Sequence, residues 1–148
     1  MNRTLKFRAW DIKNKRMLAV DEIKNLWTQE TTSTDPNDLH MLPRVTIVNQ
    51  QYRGDDIELA VGEDCELMQY TGLKDINDKE IYEGDIVLLK HWQSSDIFDY
   101  NQPFEVSYKY GQVVFIQNEY YNYISDLNGN LYKEIVGNIY ENPDLLGK

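Results

Sequence analysis

The sequence predicts a mainly β protein whose C-terminal part is a small antiparallel barrel, preceded by a β-hairpin and long loops. Short runs of apolar and β-branched residues alternate with polar residues along much of the chain. Clusters of Gly, Pro, Asn and Asp separate these runs, as turns do. Most of the aromatic residues lie in the second half of the chain, where a small barrel would use them to fill its core.

The chain begins with a predicted β-hairpin. Residues 5–10 alternate at period two, which is typical of a half-buried strand. Residues 11–15 form a turn in which Asn14 is suited to a positive φ, and Arg16–Val20 returns as the second strand. Residues 21–30 leave two alternatives open, a short helix or a continued strand.

The sequence in the middle of the chain predicts a long loop followed by two strands. Residues 31–43 are rich in Thr, Ser, Asp and Pro, which favour turns. The β-branched residues of Arg44–Tyr52 predict a strand, and residues 57–61 alternate into another that ends at Gly62. We therefore divide the chain into an N-terminal hairpin and variable β/loop region, residues 1–62, and a barrel region, residues 63–148, within one compact unit.

The barrel region opens with a strand, a polar loop and a sharp turn. The turn is Glu83-Gly84-Asp85, where Gly84 can take a positive φ without steric cost and Asp85 can accept hydrogen bonds from nearby backbone N–H groups. The apolar run Ile86–Leu89 that follows predicts a buried strand.

The rest of the barrel is a predicted succession of hairpins. After a second long loop at residues 91–103, two strands flank a Tyr110-Gly111 turn. Asn128-Gly129 predicts a hairpin between strands at Tyr120–Ile124 and Leu131–Ile139. Within the last strand Gly137 indicates a bulge or a close backbone approach. Asn142-Pro143-Asp144 indicates a cap, a first-turn proline and a first-turn acid for a terminal helical turn. We expect residues 80–90, 104–117 and 120–140 to form one antiparallel, barrel-like sheet.

The charges of the chain are unevenly divided. Residues 1–16, the basic segment, hold six basic residues and one acidic residue, a net charge of +5, while the other 132 residues hold nine basic and 24 acidic, a net charge of −15. An acidic surface repels phosphates within the Debye length of about 8 Å, so general duplex DNA binding is not expected. The basic segment could rest on its own acidic body, contact another subunit, or hold a phosphate.

The sequence contains no catalytic or metal-binding set. His40 and His91 each lack a second histidine at ligand spacing, and no phosphate loop or serine-nucleophile motif occurs. Cys65 is the single cysteine, and the flanking Asp64 and Glu66 would raise rather than lower the pKa of its thiol. We therefore expect no enzymatic activity, no cofactor and no metal.

The chain also lacks the sequence signals of a membrane or secreted protein. No apolar run approaches the ~20 residues that a membrane span requires. The first residues are basic but have no apolar segment typical of a signal peptide. A cytoplasmic protein is the expectation.

Four segments, in this order, resemble a known family. They are FRAWD (residues 7–11), LMQYTGLKD (67–75), EIYEGDIV (80–87) and VGNIYENPDLL (136–146). Together they resemble the YopX-type proteins of phages and prophages of Gram-positive bacteria. The resemblance spans nearly the whole chain. It implies a β-rich fold with an SH3-like barrel portion, a phage accessory setting and no established biochemical activity, and it carries over no catalytic residue.

Two groups of residues are candidates for binding. Trp92, Phe98 and Tyr100 are large apolar side chains on a predicted loop of the barrel, where they need cover from something. Arg3, Lys6 and Arg8 of the basic segment are candidates for a subunit or phosphate contact.

The sequence therefore favours a non-enzymatic phage or prophage accessory protein that acts by binding, as a homo-oligomer or on a host or phage protein. One alternative is a nucleic-acid-associated module, since SH3-like barrels occur among such proteins. The other is an acidic, DNA-mimicking inhibitor of a host enzyme, for which negative charge would be an asset. Fold analogy does not choose among these.

Overall fold

The computed structural model describes residues 5–20, 44–47, 57–91, 102–117, 120–123 and 131–147, and it confirms a mainly β fold. Within these residues the chain forms strands and one short 3₁₀ helix, Pro143–Leu146. The strands are β1 (Phe7–Asp11), β2 (Arg16–Val20), β3 (Arg44–Ile47), β4 (Ile57–Ala60), β5 (Cys65–Lys74), β6 (Glu80–Tyr82), β7 (Asp85–His91), β8 (Pro103–Lys109), β9 (Gln112–Gln117), β10 (Tyr120–Tyr123) and β11 (Leu131–Asn138).

The chain divides into two compact units, Lys6–Met68 and a second one that includes Gln69–Lys148. The predicted division into residues 1–62 and 63–148 stays a prediction. The predictions for residues 21–30, 31–43, 48–56 and 92–101 lie outside the described residues.

The first unit is built on the β1–β2 hairpin. The two strands are antiparallel, with Ala9 opposite Leu18 and Asp11 opposite Arg16. β1 lies between β2 and β5, and β3 pairs with β4 in a separate two-stranded sheet. The core of the unit consists of Ala9, Leu18 and Cys65, against which Val20, Leu59, Val61 and Leu67 pack. Because cross-strand partners share a face, the Ala9–Leu18 pair fixes which side of the hairpin is internal.

The end of β1 is more buried than its alternation predicts. Trp10 is on the strand face opposite Ala9, yet its exposed fraction is only 8%. The neighbouring Asp11 is 1% exposed. The prediction of a half-buried strand is therefore wrong for the last residues of β1, which are covered on both faces.

The second unit contains a five-stranded antiparallel sheet that curls as a half-barrel, with the strand order β10-β9-β8-β7-β11. Alternate residues of its three central strands form the core. These residues are Val87, Leu89, Phe104, Val106, Val113 and Phe115, joined by Ile81 of β6. Ile86 and Val114 point to the opposite face of the sheet and are also fully buried. Both faces of β7 are thus covered, which explains why Ile86–Leu89 is a continuous apolar run rather than an alternating one.

The predicted composition of the barrel-like sheet is confirmed for β7 to β11 but not for β6. Residues 80–82 pair with β5, with Tyr70 opposite Tyr82 and Lys74 opposite Glu80. The turn at Gly84 separates the two sheets, because the chain reverses there and Asp85 begins β7. The short β6 strand therefore belongs with the strand that precedes it in the sequence.

The hairpin predicted from Asn128-Gly129 does not form between β10 and β11. β10 pairs with β9, and β11 pairs with β7, so the two strands lie at opposite ends of the sheet order. A turn preference is a local effect, whereas pairing β11 with β7 places Ile135 opposite Val87 and against the core. The burial gained in this pairing outweighs the turn preference and decides that β11 pairs with β7.

Two predictions about turn chemistry need correction. In the β1–β2 turn the positive φ belongs to Lys15, at 50°, and not to Asn14. Asn14 instead uses both its backbone N–H and its side-chain amide to bond to Asp11. At the C-terminus Pro143 starts the 3₁₀ helix as predicted, but the Asn142 side chain makes no capping hydrogen bond to it.

Candidate functional site

Asp11, the last residue of FRAWD, organises the hairpin turn. Its Oδ1 accepts a hydrogen bond from Asn14 N (3.0 Å), and its Oδ2 accepts from Asn14 Nδ2 (2.7 Å) and Arg16 Nε (3.2 Å). Burial by itself would raise the pKa of Asp11, but these hydrogen bonds and the Arg16 charge outweigh it and hold the pKa below the usual value of 3.8. Asp11 is therefore an ionised structural group.

Asp75, the last residue of LMQYTGLKD, closes the loop after β5. Its Oδ1 accepts from Asn77 N (2.8 Å) and Lys79 N (2.9 Å), and its Oδ2 accepts from Ile135 N (3.4 Å). Ile76 N also donates to Lys133 O at 2.8 Å. The loop thus provides hydrogen-bond partners for backbone groups on the outer edge of β11. Without the loop, this edge of the sheet would expose those groups unpaired.

The electrostatics of Asp75 are those of a structural carboxylate. Burial would raise its pKa, but the backbone hydrogen bonds from Lys79, Asn77 and Ile135 prevail and lower the pKa below 3.8. Asp75 is 8% exposed, so its charge is stabilised by the loop rather than by water.

The predicted turn in EIYEGDIV is confirmed. Gly84 has a φ of 77° and is buried, so a side chain there would be strained. Its N–H donates to Val106 O (2.8 Å), and its carbonyl accepts from Ile139 N (2.9 Å). Asp85 Oδ2 accepts from Tyr82 N (2.8 Å), the backbone role that the sequence predicted for Asp85.

The VGNIYENPDLL segment is a tightly bonded turn. Asn138 Oδ1 accepts from Tyr140 N (3.0 Å) and Glu141 N (2.9 Å), and Asn142 Oδ1 accepts from Asn138 N (3.2 Å). Of the two alternatives for Gly137 the bulge is confirmed, because the β11 register shifts beside it. The position that a Cβ would occupy there is filled by the Asn142 side chain. Each of the four segments singled out in the sequence thus contributes at least one polar side chain that stabilises a turn.

A further reactive group among the described residues is the Cys65 thiol. It is fully buried in the core of the first unit. Burial, together with the negative charges of Asp64, Glu66 and Asp11, raises its pKa to about 11, which confirms the predicted direction. Among the described residues no three His, Cys, Asp or Glu side chains are grouped to hold a metal ion.

The basic segment presents its cations on different parts of the hairpin. Lys6 is exposed and Arg8 is half-buried, and their spacing of two residues places them on one face of the strand. Lys13 and Lys15 are exposed in the turn, while Arg16 forms an ion pair with Asp11. Arg3 lies outside the described residues.

An acidic turn of the same unit adjoins the tip of the hairpin. Ile12 N donates to Asp64 O at 3.0 Å, which brings the turn of Gly62–Asp64 beside the turn that carries Lys13 and Lys15. Asp64 Oδ2 also accepts from Ala60 N (2.9 Å). The turn that carries the tip lysines therefore lies beside an acidic turn of its own unit.

A pair of tyrosines in the second unit forms a surface that the sequence analysis did not single out. The Tyr70 and Tyr82 rings are tilted by 46° with centroids 5.5 Å apart, and the Tyr108 hydroxyl donates to Tyr70 O at 3.3 Å. Tyr70 and Tyr82 each adjoin a buried residue in their strand, Thr71 and Ile81. The period-two alternation of the two strands was therefore the signal that could have placed both tyrosines on the outward face. The predicted aromatic surface of Trp92, Phe98 and Tyr100 lies outside the described residues.

Comparisons with known proteins identify a family and a solved structure that this chain resembles. The model of the family described as YopX protein matches residues 6–147. The crystal structure of protein EF1440 from Enterococcus faecalis is 25% identical to this chain, with a TM-score of 0.57, and the match covers 98% of this chain and 99% of that one. No curated protein matches. Among the described residues no helix is both long and apolar enough to cross a membrane.

Proposed function

Because this chain belongs to the YopX protein family, we propose that it serves a phage or prophage as a non-enzymatic binding protein in the cytoplasm of a bacterial host. The proposed mode of action is self-association through the basic segment, with carboxylates of a neighbouring copy as its counterpart.

A binding role rather than catalysis is supported by the way the buried acids are used. The carboxylate oxygens of Asp11 and Asp75 accept hydrogen bonds from backbone and side-chain donors of their own turns. Hydrogen bonding keeps the pKa of both below 3.8, far from the near-neutral value that suits a general acid or base. The thiol of Cys65 is buried with a raised pKa, which is the opposite of an activated nucleophile.

The observation that carries the self-association is the division of charge. A segment of net charge +5 is attached to a remainder of net charge −15. Lys6, Lys13 and Lys15 are exposed, so part of this positive charge is at the surface. Complementary surfaces on identical chains attract each other and accelerate docking, and salt weakens both effects.

Light scattering tests self-association directly. At low salt we expect a mass that is a multiple of the 17.5 kDa chain, and a shift toward the single chain at about 1 M salt, where the Debye length is about 3 Å. The double variant Arg3→Glu, Lys6→Glu should dissociate at low salt. The matched control Lys79→Glu, Lys109→Glu changes the net charge equally at two exposed lysines outside the basic segment and should not dissociate. A single-chain mass at micromolar concentration and low salt would end the proposal.

Duplex DNA provides the second test. Only six cations are clustered on one short segment, and the proposed subunit contact uses them. We therefore expect no binding tighter than roughly 10⁻⁵ M at physiological salt, near the weak end of non-specific affinity. Submicromolar binding in an anisotropy titration, abolished by the triple variant Arg3→Glu, Lys6→Glu, Arg8→Glu, would instead favour the nucleic-acid-associated alternative.

A further inference from the structure

The polar loop between β5 and β6 covers the outer edge of β11 in the way that an added strand would. We call this loop, residues 75–79, the strap. Ile76 N donates to Lys133 O at 2.8 Å, and Asp75 Oδ2 accepts from Ile135 N at 3.4 Å. β11 is the last strand in the order of its sheet, so these groups point away from β7. The carboxylate oxygen thus stands where a neighbouring strand would place a backbone carbonyl.

The strap is built to open more easily than the sheet that it covers. Asp75 is buried, whereas residues 76–79 are exposed. The bonds to Asp75 Oδ1 and the bond from Asp75 N to Lys79 O (2.8 Å) lie within the strap itself. Asp78 has a φ of 64°, which is uncommon for a residue other than glycine. An exposed segment with one buried side chain is of the kind that opens locally while the sheet stays folded.

The edge beneath the strap is complementary to a second copy of itself. When two β11 strands lie antiparallel about a two-fold axis at Glu134, Lys133 of each copy faces Ile135 of the other. Such opposed residues exchange two N–H···O=C hydrogen bonds when their backbone groups point to the shared edge. The donor and the acceptor that the strap now occupies would then be satisfied by the same groups of the second copy.

Two other features of β11 limit this pairing. Glu134 would lie opposite the same residue of the second copy, and like charges directly opposite each other destabilise a strand pair. The β11 register also shifts between Ile135 and Gly137, and a bulge bends the edge of a sheet. These two features are fixed in the strand, so the strap is the protection that can be removed by a local opening.

We infer that the strap is an autoinhibitory contact: docked, it blocks the edge of β11, and when it opens, β11 of a second copy takes its place. This inference does not rest on the self-association proposed above, because the contact consists of backbone hydrogen bonds rather than opposite charges. About 1 M salt, which screens exposed charges beyond roughly 3 Å, therefore separates the two.

Disulfide trapping at about 1 M salt tests the inference. Glu134→Cys places a thiol opposite its own copy at the two-fold axis, within the distance that a disulfide bridges, and removes the like-charge repulsion. Ile76→Pro removes the N–H that donates to Lys133 O, and its matched control Ile76→Ala keeps that N–H. With oxidised glutathione as the oxidant, Ile76→Pro should raise the rate of dimer formation by Glu134→Cys about fivefold or more, as loss of one competing hydrogen bond does. Ile76→Ala should leave the rate unchanged.

The position of the thiol tests the register of the pairing. Tyr132→Cys, at an exposed residue of the same strand, would lie four residues from its own copy, roughly 13 Å along the strand. This separation exceeds the ~7 Å between Cα atoms that a disulfide tolerates, so we expect slow trapping there even with Ile76→Pro. The native Cys65 is buried and does not compete.

The outcomes separate this inference from the proposed function. Equal trapping of Glu134→Cys with Ile76→Pro and with Ile76→Ala refutes the autoinhibition, and equal trapping at residues 132 and 134 refutes the pairing of β11 with itself. A single-chain mass for the unmodified protein at low salt refutes only the charge-driven association. Circular dichroism verifies the fold of each variant. Should Ile76→Pro unfold, Asp75→Ala removes the acceptor for Ile135 N, with the exposed Lys79→Ala as its control, and trapping no faster than that control overturns the inference.

Discussion

Gly137→Ala should destabilise the second unit through a single close contact. A Cβ at residue 137 would lie 2.5 Å from Asn142 Oδ1 and 2.9 Å from both Cβ and Cγ of Asn142. Asn142 cannot move without losing the hydrogen bond that its Oδ1 accepts from Asn138 N (3.2 Å) or the one that its N–H donates to Asn138 O (2.9 Å). The substitution therefore creates a steric clash that is relieved only by breaking hydrogen bonds that hold the turn after β11.

The magnitude follows from three contributions. Overpacking costs about 1–3 kcal/mol, and a lost hydrogen bond costs about 1 kcal/mol more. Against this, alanine lowers the conformational entropy of the unfolded chain, which stabilises the folded protein by about 0.4–1 kcal/mol. This gain applies because Gly137 does not need a positive φ. We expect a net loss of about 2 kcal/mol in the free energy of unfolding.

Urea unfolding at high salt and fixed protein concentration measures this loss without interference from association. Gly111→Ala is the matched control, since Gly111 has a φ of 77° but no atom within 4 Å of its Cβ position, and it should cost only about 1 kcal/mol. In an Asn142→Gly background, which removes all three clashing atoms, the cost of Gly137→Ala should fall by at least about 1 kcal/mol. An unchanged cost in that background would refute the steric argument.

Three further predictions concern the turns and the cysteine. Gly84→Ala should lower the free energy of unfolding by ~1 kcal/mol or more, because its φ of 77° is strained for any other residue, and a smaller loss in urea unfolding would contradict this. The folded-state pKa of Asp75 is depressed, so its contribution to stability is complete above about pH 4 and is lost as the pH falls through the folded pKa. Asp75→Asn should therefore flatten the acid limb of a stability–pH curve, and an acid limb as steep as that of the unmodified chain would contradict this. The thiol of Cys65, with its pKa raised to about 11, should react with a disulfide reagent at pH 8 only as fast as the protein opens, and labelling at the rate of a free thiol would refute its burial.

Local patterns were sufficient for most of the strands and for several turns. Period-two alternation located the β1–β2 hairpin, and the apolar run after Asp85 located β7. The positive φ of Gly84 and the bulge at Gly137 followed from the chemistry of glycine in a strand context. These features depend on a few neighbouring residues, so the sequence contains the necessary information.

Strand partnership and the tyrosine pair depended on distant residues. Asn128-Gly129 favours a hairpin, yet β11 pairs with β7, where the partly buried Ile135 packs against the core. Tyr70 and Tyr82 meet only because β5 pairs with β6, and the Asp75 loop reaches β11 across 60 residues of sequence. The sequence by itself determined where the chain extends and where it turns, since backbone preferences act within a few residues. Tertiary structure decided which strands meet and which side chains share a surface, because those choices depend on the burial summed over the whole unit.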